Sequence, residues 1–417
     1  MDTGYSWVVL TACCCINMLA FGLLKSYGML LVELLKVYDG GAGTTAMVGS
    51  VTSLVMSFIG LFGCTLGEMT TFRKVLLLGG IFQASGLFLS VFVDRLHVMF
   101  LTYTVITGIG YGLLISPCAT VLNFYFEKRR ALASGLLNSA SGVGMFIFQY
   151  LYGSLFDEYG LKGCLLIISG IVLNNCVAGS LIRQPQQLKE PNVSLIKTPD
   201  LNPINACVIF FRKVFKSRFK LFRNLPFALE CASLALAQIG YASHFFLYPA
   251  FVKGRGFDDT SVVIAMVILS SLEVVCKIIL GALADHISPT VLHSIVMLVG
   301  GVAAVVVTFT EKLWLLYAYA AITGALPGTF FVFMPPILVR SCGLKNLGAS
   351  LSTVIVTGAL LLAISVPGLG LMADITGNWN LSFRVIGAIL FTSGLLMVVD
   401  EVKRSNEVND KMQRDLI

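Results

Sequence analysis

The chain has 417 residues, 57% of them hydrophobic and 12% charged, with a net charge of +7. A soluble domain carries roughly 25% charged residues, so this composition excludes a water-soluble fold: too few polar side chains are present to cover the apolar surface, and the solvent must be largely lipid. The positive charge does not point to nucleic acid, because the basic residues follow one face of a membrane.

No basic cluster precedes the first apolar stretch, which runs on past Lys25 with no small-residue cleavage site. A removable signal peptide is therefore not expected, and Trp7 opens the first span. Apolar stretches of the length that crosses a hydrocarbon core recur near 7–35, 45–64, 75–93, 98–122, 130–155, 161–182, 226–251, 261–283, 290–309, 313–339, 346–372 and 379–399. They predict an all-α membrane protein of twelve transmembrane helices. The longest interruption, 183–225, carries Pro185, Pro191, Pro199 and Pro203 with nine Lys or Arg. It reads as a linker between an N-terminal six-helix bundle (1–182) and a C-terminal one (226–400), with a tail at 401–417. Within it, Phe211, Phe215, Phe219 and Phe222 stand at helical spacing among Arg212, Lys213, Lys216, Lys220 and Arg223. That pattern fits a helix lying on anionic lipid, or one read by a calmodulin-like partner.

The even-numbered connections and the tail hold 20 Lys or Arg and the odd connections hold 7, which places both termini in the cytoplasm. The sequon Asn380-Leu381-Ser382 is then outside, close to the membrane. The eleven cysteines lie mostly inside spans and form no CxxC pair, and no His cluster accompanies them. They read as small packing residues, with no metal or other cofactor expected.

Weak self-similarity appears at one offset of 217: Glu68 recurs as Asp285, and Gly153, Asp157 and Gly160 as Gly370, Asp374 and Gly377. Gly108 and Gly112 recur as Gly324 and Gly328 at 216. This predicts two six-helix parallel pseudo-repeats, the arrangement of major facilitator transporters. Common turn glycines at helix ends are the other source of such matches.

A charge at the centre of a spanning helix costs roughly 2.5–3.5 kcal/mol, and three residues bear one: Lys25, Glu273 and Lys277. Glu33 and Glu230 sit near span ends, within reach of interfacial water. Glu273 and Lys277 stand at i and i+4, on one helical face in the order that favours pairing, so a structural ion pair explains those two. Lys25 has no sequence-local partner and makes the set net positive, which suits an anionic solute. Snorkelling to the interface is its other reading. No nucleophile, base and orienter set and no phosphate-binding lysine loop is present, so an enzyme is not expected.

Tyr125-Phe126-Glu127-Lys128-Arg129-Arg130-Ala131-Leu132-Ala133-Ser134-Gly135 resembles, at every fixed position, the signature of the monocarboxylate transporter family within the major facilitator superfamily. Asp2-Thr3-Gly4-Tyr5-Ser6-Trp7 keeps that family's other signature only in part, with Thr3, Tyr5 and Ser6 departing. The chain is thus identified as a divergent member. The resemblance implies secondary active, alternating-access transport of a small monocarboxylate or related organic anion across the plasma membrane, with proton symport. It maps Lys25-Ser26 onto a lysine-serine pair in helix one and Glu273-x-x-x-Lys277 onto an acid-x-x-x-arginine pair in helix eight. Lys277 and Lys25 would then bind substrate and Glu273 would exchange the proton. Lys128, Arg129 and Arg130 would gate or anchor a cytoplasmic loop, and Phe330, Phe331 and Phe333 would line the path. A single-span ancillary glycoprotein is an implied partner.

Lys277 stands where the family has arginine, and an ammonium is a point charge without the planar two-donor fork. The alternative is therefore a facilitative, proton-independent carrier of an amino acid, creatine or carnitine. A non-transporting receptor or scaffold is the third reading.

Overall fold

The computed structural model describes residues 4–38, 41–126, 130–184, 225–284, 286–343 and 347–415. Among these residues every regular element is a helix, and eleven helical stretches are long and apolar enough to cross a bilayer. One of them, Gly135–Ser180, has 46 residues, about 69 Å at 1.5 Å per residue, or twice the roughly 30 Å of a hydrocarbon core. Gly160 divides it: φ 64° and ψ −173° belong to a backbone region that glycine enters at little cost. The stretch is therefore two spans, and the described residues cross twelve times. An even number of crossings returns both termini to one face.

The helix boundaries differ from the sequence expectation in places that matter. The first span is two helices, Gly4–Lys25 and Tyr27–Val37, parted at Ser26, whose N–H is shared between the carbonyls of Gly22 and Leu23 at 3.1 Å each. The fourth span contains a π-helical segment, Phe100–Thr107, ahead of Gly108–Tyr125. The tenth is Leu313–Ala325 and Phe330–Cys342, joined by a short 3-10 turn at Pro327–Thr329. The last helix, expected to stop near 399, continues to Asp415, because the segment beyond the bilayer is rich in good helix formers. The amphipathic linker pattern falls outside the described residues.

The two halves meet where the first span lies on the seventh, the second on the eleventh and the fifth on the eighth. Lipid tails are as apolar as leucine, so close packing has to supply the attraction that the hydrophobic effect supplies in water. Accordingly, a Cβ added to Gly370 would stand 2.7 Å from the Cα of Gly43, and only glycine permits the second and eleventh spans to touch backbone to backbone.

The repeated Gly-Asp-Gly pattern has a structural basis: Gly160 and Gly377 both hold positive φ, 64° and 68°, while Gly153 and Gly370 both face the opposite half, at Val263 and Gly43. Asp374 extends the contact by accepting hydrogen bonds from the Ala42 N–H at 2.8 Å and the Gly43 N–H at 3.0 Å. Its negative charge thus sits on the positive N-terminal end of the second span's helix. Nearby, Lys36 bridges Glu33 (3.0 Å) and Asp259 (3.2 Å), and Asp259 also meets Lys253 at 2.7 Å. Asp258 caps the eighth span through Ser261, whose hydroxyl holds the Asp258 carboxyl below the usual carboxylate range. All these contacts lie at the end of the molecule opposite the termini.

At the terminus-bearing end, Glu230 does not reach interfacial water. It is 1% exposed and paired with Arg404 on the last helix, which also meets Asp400 at 2.9 Å. Arg340 joins Glu401 at 2.6 Å. The long final helix thereby ties down the ends of the seventh and tenth spans. On the opposite face the sequon residues are held in place: Asn380 Oδ1 accepts from Arg255 at 2.7 Å, and the fully buried Ser382 hydroxyl donates to the Leu369 carbonyl at 2.6 Å.

Candidate functional site

The α-helix is interrupted at Ser26, next to Lys25 in the chain, and at Pro327–Thr329, whose Gly328 abuts Glu273. Lys25 closes the first half of span one, and its Nζ reaches across to the other half, 2.7 Å from Glu273 Oε1. Lys277, one turn along the eighth span, pairs with that same oxygen. The Tyr241 hydroxyl of the seventh span donates to it at 2.9 Å. Lys25 Nζ donates in addition to Ser141 Oγ at 3.2 Å. Its ammonium lies 5.0 Å from the ring centre of Phe21 and 5.7 Å from those of Tyr241 and Phe245, which offsets part of its lost hydration.

The three charges are nearly excluded from solvent: Lys25 is 4% exposed, Glu273 0% and Lys277 7%. Two ammoniums against one carboxylate leave a formal surplus of one positive charge in a medium where charges interact strongly. Glu273 Oε1 receives three donors, while the buried Oε2 has no partner among the described residues. The backbone turn closes on the acid from the other side, since a Cβ on Gly328 would lie 2.8 Å from Glu273 Cγ.

The sequence candidates thus divide. Lys25, Glu273 and Lys277 are one cluster, and Lys25 has the partner that its sequence neighbours do not supply. Phe331 is partly exposed and stands 5.7 Å from Tyr241 and 6.3 Å from Phe21, the latter an edge contact between the halves. Phe330 is fully buried against Tyr241 at 5.4 Å. Phe333 faces away and packs edge-on to His293 of the ninth span at 6.5 Å. Trp7 packs edge-on to Phe126 at 5.5 Å, joining the two family signatures at the terminus-bearing end. Asp2, Lys128 and Arg129 lie outside the described residues, as does the side chain of Arg130.

Sequence reasoning did not single out Tyr241 or Phe21, and it named Gly328 only as the repeat counterpart of Gly112. The signal for Tyr241 is a polar tip in an apolar helix with Gln238 and His244 three residues to either side; the repeat match of Gly328 says nothing of its closeness to Glu273.

Residues 10–311 match the Major Facilitator Superfamily. The chain belongs to that superfamily. It is 24% identical to monocarboxylate transporter 12 of Homo sapiens, over 97% of this chain and 82% of that protein. It is 26% identical to monocarboxylate transporter 13 of Bos taurus, over 95% and 90%, and 26% identical to monocarboxylate transporter 4 of Gallus gallus, over 95% and 83%. As a superfamily member with these relatives it is a multi-pass membrane transporter, and at such identities a divergent one.

Proposed function

We propose that this transporter moves a small monocarboxylate or related organic anion by alternating access, with Lys277 and Lys25 as carboxylate anchors and Glu273 as the proton-exchanging acid. The observation that carries the reading is the convergence of two buried lysines, one from each half, on a single carboxylate. An incoming anionic group finds a surplus positive charge already desolvated, and it competes with Glu273 for ammoniums that join the halves. A proton on Glu273 frees both lysines for the substrate, which links proton and anion movement. Phe21, Phe245 and Phe331 give the site apolar walls, as ligand sites commonly have. In this reading both termini and the 183–225 linker face the cytoplasm, the membrane is the plasma membrane, and a single-span glycoprotein is an accessory partner.

The ammonium of Lys277 in place of a guanidinium favours a second reading, a proton-independent carrier of a zwitterionic or neutral solute. Uptake of a panel of radiolabelled solutes at two external pH values separates the two. We expect monocarboxylate uptake to rise several-fold when the external medium is acidified. Uptake confined to zwitterions or neutral solutes, unchanged by pH, would establish the second reading instead.

A further inference from the structure

Resting on that reading, we infer that Tyr241 is the positioning residue that keeps the Glu273 carboxylate aimed across the interface when Lys25 withdraws. The three donors on Glu273 Oε1 are not equivalent. Lys25 belongs to the first half, whereas Lys277, Tyr241 and Glu273 itself belong to the second. Any parting of the halves breaks the Lys25 contact and leaves the other two. Lys277 sits on a flexible four-carbon stem and follows the carboxylate more than it fixes it. The Tyr241 hydroxyl is carried by a ring that is 5% exposed and held by Phe245 at 4.6 Å, Phe330 at 5.4 Å and Phe331 at 5.7 Å. With the turn at Gly328 against Glu273 Cγ, the acid is clamped between a rigid hydroxyl and a backbone. Oε2 is left without a partner among the described residues, and Oε1 stays aimed at Lys25 as well as Lys277.

Tyr241→Phe deletes the hydroxyl and keeps the packed ring, and Lys25→Gln removes the cross-half partner while leaving Glu273 and Lys277 as a one-to-one pair. Both are measured alone and together in the full-length protein, by uptake kinetics and by thermal unfolding of the purified transporter. Tyr241→Phe is expected to lower the maximal rate about tenfold, as for loss of a hydrogen bond to a charged group, with KM changed less than twofold. Its cost in melting temperature should be larger on the Lys25→Gln background than on the wild type, because the hydroxyl is then the last rigid contact. Equal melting costs on the two backgrounds, or an unchanged maximal rate, would overturn the assignment. If the wild type takes up no organic anion, the proposed transport reading fails by itself, and the melting comparison still decides the role of Tyr241.

Discussion

Lys277→Gln is expected to abolish organic-anion uptake while the protein still reaches the membrane. Removing Lys277 leaves Lys25 and Glu273 as a balanced pair at 2.7 Å, so no buried charge is stranded and the fold is spared the penalty that usually follows the breaking of a buried ion pair. The surplus positive charge disappears, and with it the attraction for a substrate carboxylate. Truncating one partner of a buried charge contact costs about 3–5 kcal/mol, so binding should weaken by roughly two to three and a half orders of magnitude at 1.4 kcal/mol per factor of ten. Lys277→Arg keeps the charge and supplies a two-donor fork, and should retain transport. Uptake is to be read against surface expression. A Lys277→Gln protein that is expressed normally and carries organic anions at the wild-type rate would show that the pair is structural.

Glu273→Gln should have the opposite balance of effects. It leaves two ammoniums facing each other with no anion, both nearly excluded from solvent, so a large loss of stability accompanies the loss of uptake. A substrate anion then becomes the missing counter-charge. Monocarboxylate added to the purified variant should therefore raise its melting temperature by more than it raises that of the wild type, since only binding to the folded state stabilises it. A smaller shift in the variant than in the wild type would remove the anion from this site. Residual uptake that no longer responds to a proton gradient would assign proton coupling to Glu273, whereas an unaltered pH response would place the coupling elsewhere.

The number and order of spans were legible because each apolar stretch has to match the bilayer, a constraint with a single length scale. The helix breaks were not: Ser26 and Pro327–Thr329 lie inside stretches whose hydropathy is continuous, and hydropathy does not register a turn that other helices cover. The triad was legible in its members, because a charge in lipid is costly enough to stand out singly, and only partly legible in its pairing. The helical spacing of Glu273 and Lys277 gives their contact directly. The contact of Lys25 with Glu273 spans 248 residues and depends on how the halves pack. Glu230 misled for the converse reason: closeness to a span end suggested water, but the final helix runs past the expected boundary and brings Arg404 over it.

The uneven count of charges in the triad also has an electrical meaning. Empty, the site holds two ammoniums and one carboxylate and carries one net positive charge as the halves reorient; with a monoanion and the proton on Glu273 both bound it again carries one. Moving one elementary charge through the whole membrane potential involves about 2.3 kcal/mol per 100 mV. The loaded and the unloaded passage therefore feel voltage in opposite directions, and a full proton-coupled cycle moves no net charge. Under voltage clamp, steady proton-coupled uptake should therefore carry no net current, whereas entry of the anion without a proton would carry an outward one.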